Sequence, residues 1–123
     1  MSVSKEYVTY VLDQLESSGS ITVKKMFGGA GLYLESVFFA LISNDTLYFK
    51  VDNSNQQDYE RAGMEAFMPF GIKSYIMHYY EVPVDVLDDK DKLKIWADKA
   101  CSVAKRKLTE GKKRKRGQPH QIK

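Results

Sequence analysis

Residues 26–52 read Met26-Phe27-Gly28-Gly29-Ala30-Gly31-Leu32-Tyr33-Leu34-Glu35-Ser36-Val37-Phe38-Phe39-Ala40-Leu41-Ile42-Ser43-Asn44-Asp45-Thr46-Leu47-Tyr48-Phe49-Lys50-Val51-Asp52, and this stretch decides the fold. It holds three short apolar runs, residues 32–34, 37–42 and 46–51, separated by Glu35-Ser36 and Asn44-Asp45. Runs this short, rich in aromatic and β-branched residues and bounded by turn formers, predict strands rather than helices. Spacers of hairpin length predict antiparallel pairing in a meander. Along the third run Leu47, Phe49 and Val51 point one way and Tyr48, Lys50 and Asp52 the other. That alternation puts one face on a core and leaves the other partly wet. The pair Phe38-Phe39 supplies an aromatic to each face. One of the two, taken as Phe38, forms with Tyr33 and Tyr48 the candidate aromatic patch, of the kind that binds a partner chain or stacks bases.

Working outward toward the N-terminus, Ile21-Thr22-Val23-Lys24-Lys25 leads into the glycine-rich turn. Gly28, Gly29 and Gly31 suit backbone conformations or close packing that other residues forbid. A phosphate-cradling loop is the functional alternative. The pattern is neither G-x-G-x-x-G nor a P-loop, and a strand follows where those motifs need a helix. Residues 4–17 carry Tyr7, Val8, Val11, Leu12 and Leu15 at helical spacing, with Ser4 as the expected N-cap.

Toward the C-terminus, residues 53–62 predict a short helix with a capping box from Ser54 to Gln57 and a stop at Gly63. Two strands are expected next: residues 66–70, interrupted by Pro69 and so an edge, and residues 74–82. His78 lies in the second. It has no partner at metal-ligand spacing and reads as a solvated or hydrogen-bonded strand histidine. Asp88-Asp89 opens the clearest helix. Leu93, Trp96, Ala97, Ala100, Cys101, Ala104 and Leu108 form its apolar stripe, and Trp96 is expected to anchor it on the sheet. Cys101 on that stripe reads as an inert core thiol. Gly111 is expected to end the helix, so residues 1–110 form one domain. Residues 111–123 form a basic tail, disordered in isolation.

The chain has 123 residues, 43% of them hydrophobic, enough for one domain with a real core. No apolar run approaches the roughly 18 residues of a membrane span, and no signal peptide is read at the N-terminus. A single cysteine excludes an internal disulfide framework and fits a cytoplasmic location. The net charge of +3 hides an asymmetry. Nine of the 19 Lys/Arg fall within residues 105–123, against one of the 16 Asp/Glu, Glu110, so an acidic body carries a basic end. Lys105, Arg106, Lys112, Lys113, Arg114, Lys115 and Arg116 are the candidate contacts to nucleic acid. Such contacts are phosphate-seeking and carry no sequence preference of their own.

The blocks Met26-Phe27-Gly28-Gly29-x-Gly31-Leu32-Tyr33, Phe39-Ala40-Leu41-Ile42 and Leu47-Tyr48-Phe49-Lys50-Val51-Asp52 together resemble the N-terminal domain of the TfoX/Sxy family. So do Ala62-Gly63-x-x-x-Phe67, Tyr79-Tyr80-Glu81-Val82-Pro83, Leu87-Asp88-Asp89 and Trp96-Ala97. The likeness spans roughly residues 5–108. It implies an α+β, two-layer α-β(3)-α-β(2)-α arrangement with an antiparallel sheet, similar in outline to secretion chaperones that often dimerise. It implies no enzymatic activity and no cofactor. Full-length members are implied to be coactivators of competence genes alongside another transcription factor, and they carry a second, helical domain where this chain has its basic tail. Two departures stand out. Glu81 occupies a position where many relatives are basic, and Lys24-Lys25 replaces an arginine-rich pair, keeping charge but losing bidentate geometry.

Two readings of function follow. One is a non-enzymatic, competence-type transcriptional regulator whose tail contacts DNA. The other is a homodimeric protein–protein module with no direct nucleic-acid role. An enzyme is disfavoured: Asp88, Asp89 and Asp91 have a sufficient role at a helix start, and nothing pairs His78, Tyr79 or Tyr80 with an acid, nucleophile or metal.

Overall fold

The structure, a computed structural model, describes residues 4–26, 29–67 and 78–121. Five strands form one antiparallel sheet in chain order: β1 (Ile21–Met26), β2 (Gly29–Leu34), β3 (Val37–Ser43), β4 (Thr46–Lys50) and β5 (Tyr79–Glu81). Four helices accompany it: α1 (Lys5–Gln14), α2 (Gln56–Arg61), α3 (Val84–Leu87) and α4 (Lys90–Gln121). Residues 21–25, read only as a lead-in, are a full strand paired with β2 from Ile21 opposite Leu34 to Met26 opposite Gly29. Of the strand expected over residues 66–70, the described part is an isolated bridge from Ala66 to Tyr80. Residues 68–77, where the rest of that strand and the start of the next were expected, lie outside the described residues.

Both hairpin spacers behave as anticipated. Glu35 and Ser36 have φ of 52° and 69°, and Asn44 and Asp45 have 55° and 52°. Two consecutive left-handed residues are the type I′ signature, whose twist matches that of the flanking strands. A bulge interrupts the β2–β3 register. Leu32 faces Ala40 while Tyr33 faces Phe38, leaving Phe39 as the extra residue. Phe39 and Ala40 therefore both join the core, and Phe38 is left on the opposite face.

The core lies between the sheet and the helices. Leu32, Phe39, Ile42, Leu47, Phe49 and Val51 supply the sheet side; Val11, Leu15, Leu93, Ala97 and Ala100 supply the helix side. α4 packs across β3 and β4. Ser4 caps α1 as expected, accepting from the Tyr7 amide at 3.2 Å, and a 3-10 turn at Glu16–Ser18 follows the helix. Among the described residues no helix is long and apolar enough to cross a membrane.

Four local details differ from or add to the expectations. The Ser54–Gln57 capping box does not form. Asn55, 2% exposed, flanks α2 and instead accepts from the Asp52 amide at 2.8 Å and donates to the Lys50 carbonyl at 3.2 Å. A residue able to satisfy two backbone groups at the end of β4 outcompetes a local cap. Secondly, Asp89 opens the long helix as expected, accepting from the Asp91 and Lys92 amides, and α3, not read in the sequence, precedes it. Thirdly, Trp96 packs against the core with its ring edge-on to Tyr59 of α2, the centroids 4.7 Å apart. Lastly, α4 does not stop at Gly111 but continues to Gln121. One glycine costs a helix about 1 kcal/mol, and the Lys and Arg beyond it are good helix formers.

Candidate functional site

The sheet face turned away from the helical core is aromatic and flanked by cations. Strand pairing sets Tyr33 opposite Phe38, Leu41 opposite Tyr48, and Lys50 opposite Tyr79. Tyr33 and Phe38 stack with centroids 5.1 Å apart, and Phe38 lies 5.7 Å from Tyr79. At one end of this row the Lys24 ammonium sits 5.1 Å above the Tyr33 ring. At the other the Lys50 ammonium sits 4.8 Å from the Tyr79 ring and donates to its hydroxyl at 3.4 Å. Each such contact is worth roughly 0.5–1 kcal/mol or more once partly desolvated. Burial pushes the Tyr79 hydroxyl well above its ordinary value. Burial, reinforced by the charge of Lys107, pulls Lys50 below its own.

Of the three aromatic residues singled out in the sequence, Tyr33 and Phe38 come together. Tyr48 shares the face but packs instead on Phe67, 4.5 Å away. Tyr79, Phe67, Lys24 and Lys50 complete the surface and were not singled out. Alternation assigns a residue to a face within one strand; which strands adjoin depends on pairing between distant segments.

The basic candidates divide into two groups. Lys105 lies 3.8 Å from Glu35, and Arg106 spans Asp52 at 3.0 Å and the Ser54 hydroxyl at 2.9 Å. Arg106 thus ties α4 to the end of β4. Lys112, Lys113, Arg114, Lys115 and Arg116 fall on the helical continuation of α4. Near its departure from the sheet, a cavity of about 360 Å³ is lined by His78, Lys107, Asp52, Gln56 and Tyr80 among others. His78 enters the fold through its carbonyl, which accepts from the Val51 amide at 2.6 Å.

Three groups considered for acid–base or nucleophilic chemistry have structural roles or surroundings. Asp89 caps α4, and Asp88 accepts from the Tyr10 hydroxyl. Cys101 is buried, and burial pushes its thiol up to about 11, so it is protonated at neutral pH. Among the described residues no group of His, Cys, Asp and Glu is placed to hold a metal ion.

These features define an α+β domain with a five-stranded antiparallel sheet, one face of which carries an aromatic row between two lysines. The chain matches the family model described as the TfoX N-terminal domain over residues 13–104, and it belongs to that family. The match ends at Ala104, immediately before the basic stretch begins. The chain matches no curated protein at a significant level.

Proposed function

We propose that this chain is a non-enzymatic regulatory module, a competence-type transcriptional regulator of the cytoplasm, that contacts DNA through the basic end of α4. The observation that carries the reading is the continuity of α4. One helix runs from Lys90, through the segment packed on β3 and β4, to Gln121 beyond the Lys112–Arg116 cluster. A polyanion held by that cluster is thereby coupled to the folded body. The TfoX family supports the regulatory part of the reading. DNA contact rests on charge, since the cluster lies beyond the family match.

The test is fluorescence anisotropy with a labelled duplex over a salt series. It compares the full chain, a chain ending at Thr109, and a full chain with residues 112–116 changed to Gln. The full chain should lose affinity steeply with salt, and the five-Gln variant should reduce the log–log slope by roughly four. Binding that survives both changes, or is insensitive to salt, would overturn the reading.

A second reading, a homodimer or a complex with another regulatory protein through the aromatic face, is favoured by the half-exposed Tyr33–Phe38 stack. Light scattering on the full chain and on Phe38→Asp tests the dimer. A mass that halves in the variant supports it, and a monomer in both excludes it.

A further inference from the structure

We propose that β1 is a docking edge for an acidic, extended segment of a partner protein, which pairs with it as an additional strand. The inference is independent of DNA binding by α4.

The two edges of the sheet are treated differently. Beyond β5, the chain itself takes the outward groups. The Phe67 amide donates to the Tyr79 carbonyl at 2.7 Å, and the Glu81 amide donates to the Glu65 carbonyl at 3.2 Å. Beyond β1, no backbone or side-chain partner is seen among the described residues. The strand keeps unbroken register with β2 over all six residues, so it offers a regular template about 20 Å long. The bulge that twists the sheet lies one strand further in.

Charge identifies the occupant. Lys24 and Lys25 are exposed and side by side, projecting to opposite faces. Lys90, Lys94, Lys99, Lys105 and Arg106 each have a carboxylate within 4 Å. Among the described residues Lys24 and Lys25 have none; Lys5, Lys50, Arg61, Lys92 and Lys107 also lack one, but only Lys24 and Lys25 are adjacent on an unpaired strand edge. Ile21 and Val23, half-buried against the core, give the edge an apolar flank. The complementary strand places carboxylates across from Lys24 and Lys25 and an apolar residue across from Val23. Backbone hydrogen bonds supply affinity and the side chains supply selectivity. A second copy fits poorly, because antiparallel pairing of β1 with itself brings like charges together near its centre. Edge lysines also serve simply to keep sheets from joining, and that role alone is the competing outcome.

The test uses the full chain, panned against a random decapeptide display library. Enriched peptides are then titrated by calorimetry and by amide NMR. Enriched sequences should carry adjacent carboxylates and protect amides within residues 21–26 from exchange. They should bind the Lys24→Glu/Lys25→Glu variant at least about tenfold more weakly. Lys92→Glu, which alters an exposed lysine on α4, should leave their affinity unchanged, and circular dichroism confirms that both variants fold. Failure to enrich, enrichment without carboxylates, indifference to the double variant, or protection elsewhere would each overturn the proposal and leave the lysines only blunting the edge.

Discussion

Gly29 shows how one position is fixed by its neighbours. A Cβ there would stand 2.1 Å from the Ile42 carbonyl oxygen, which is backbone and cannot yield without moving β3. Gly29→Ala should therefore destabilise the fold by about 3 kcal/mol, read from chemical denaturation. The structural reading of the glycine-rich turn holds at this residue; Gly28 lies outside the described residues. Asp52 carries a second residue-scale prediction. Burial opposes its ionisation, but the hydroxyl and amide of Ser54 and the Arg106 guanidinium outweigh that and hold its carboxyl below the ordinary value. A depressed carboxylate contributes stability that is present above the unfolded-state value near pH 4 and lost as the pH falls through the folded one. Asp52→Asn should cost about 1–2 kcal/mol at pH 7 and flatten the acid limb of the stability profile. Unchanged stability at pH 7 would show that the Arg106–Asp52–Ser54 link contributes nothing.

At the scale of elements, α4 and the hairpins teach opposite lessons. Both two-residue turns were legible as hairpins because spacer length and the apolar runs on either side specify antiparallel pairing locally; the backbone angles add the type I′ geometry. The end of α4 was not. Gly111 is a stop signal when nothing favours continuation, and here the Lys- and Arg-rich segment carries the helix on to Gln121. Gly111→Ala should accordingly raise the helical circular dichroism signal and stabilise that segment by about 1 kcal/mol. A signal that does not change would mean that the helix ends before residue 111. The failed capping box on α2 has the same character. Ser54 and Gln57 had the right spacing, but Asp52 and Asn55 claimed the local donors and acceptors because they also tie α2 to β4.

At the scale of the whole molecule, the family match begins at Asp13, inside α1, yet the core does not. Val11 is wholly buried, and Tyr10 reaches Asp88 across the fold. Removing residues 1–12 should lower stability by about 3 kcal/mol or more, measured as a lowered denaturation midpoint with α4 intact. Preserved stability would make the first helix an accessory. The sequence by itself determined the antiparallel meander, the amphipathic faces of α1 and α4, the buried and unreactive Cys101, and the separation of an acidic body from a basic end. Each follows from periodicity, turn chemistry or charge along a short window. Only the tertiary structure decided that β1 is a strand, that Phe39 bulges into the core while Phe38 turns outward, and that Tyr33, Phe38 and Tyr79 align between Lys24 and Lys50. Those arrangements join segments up to about fifty residues apart, and pairing register between distant strands is set by the packing of the whole core rather than by any local signal.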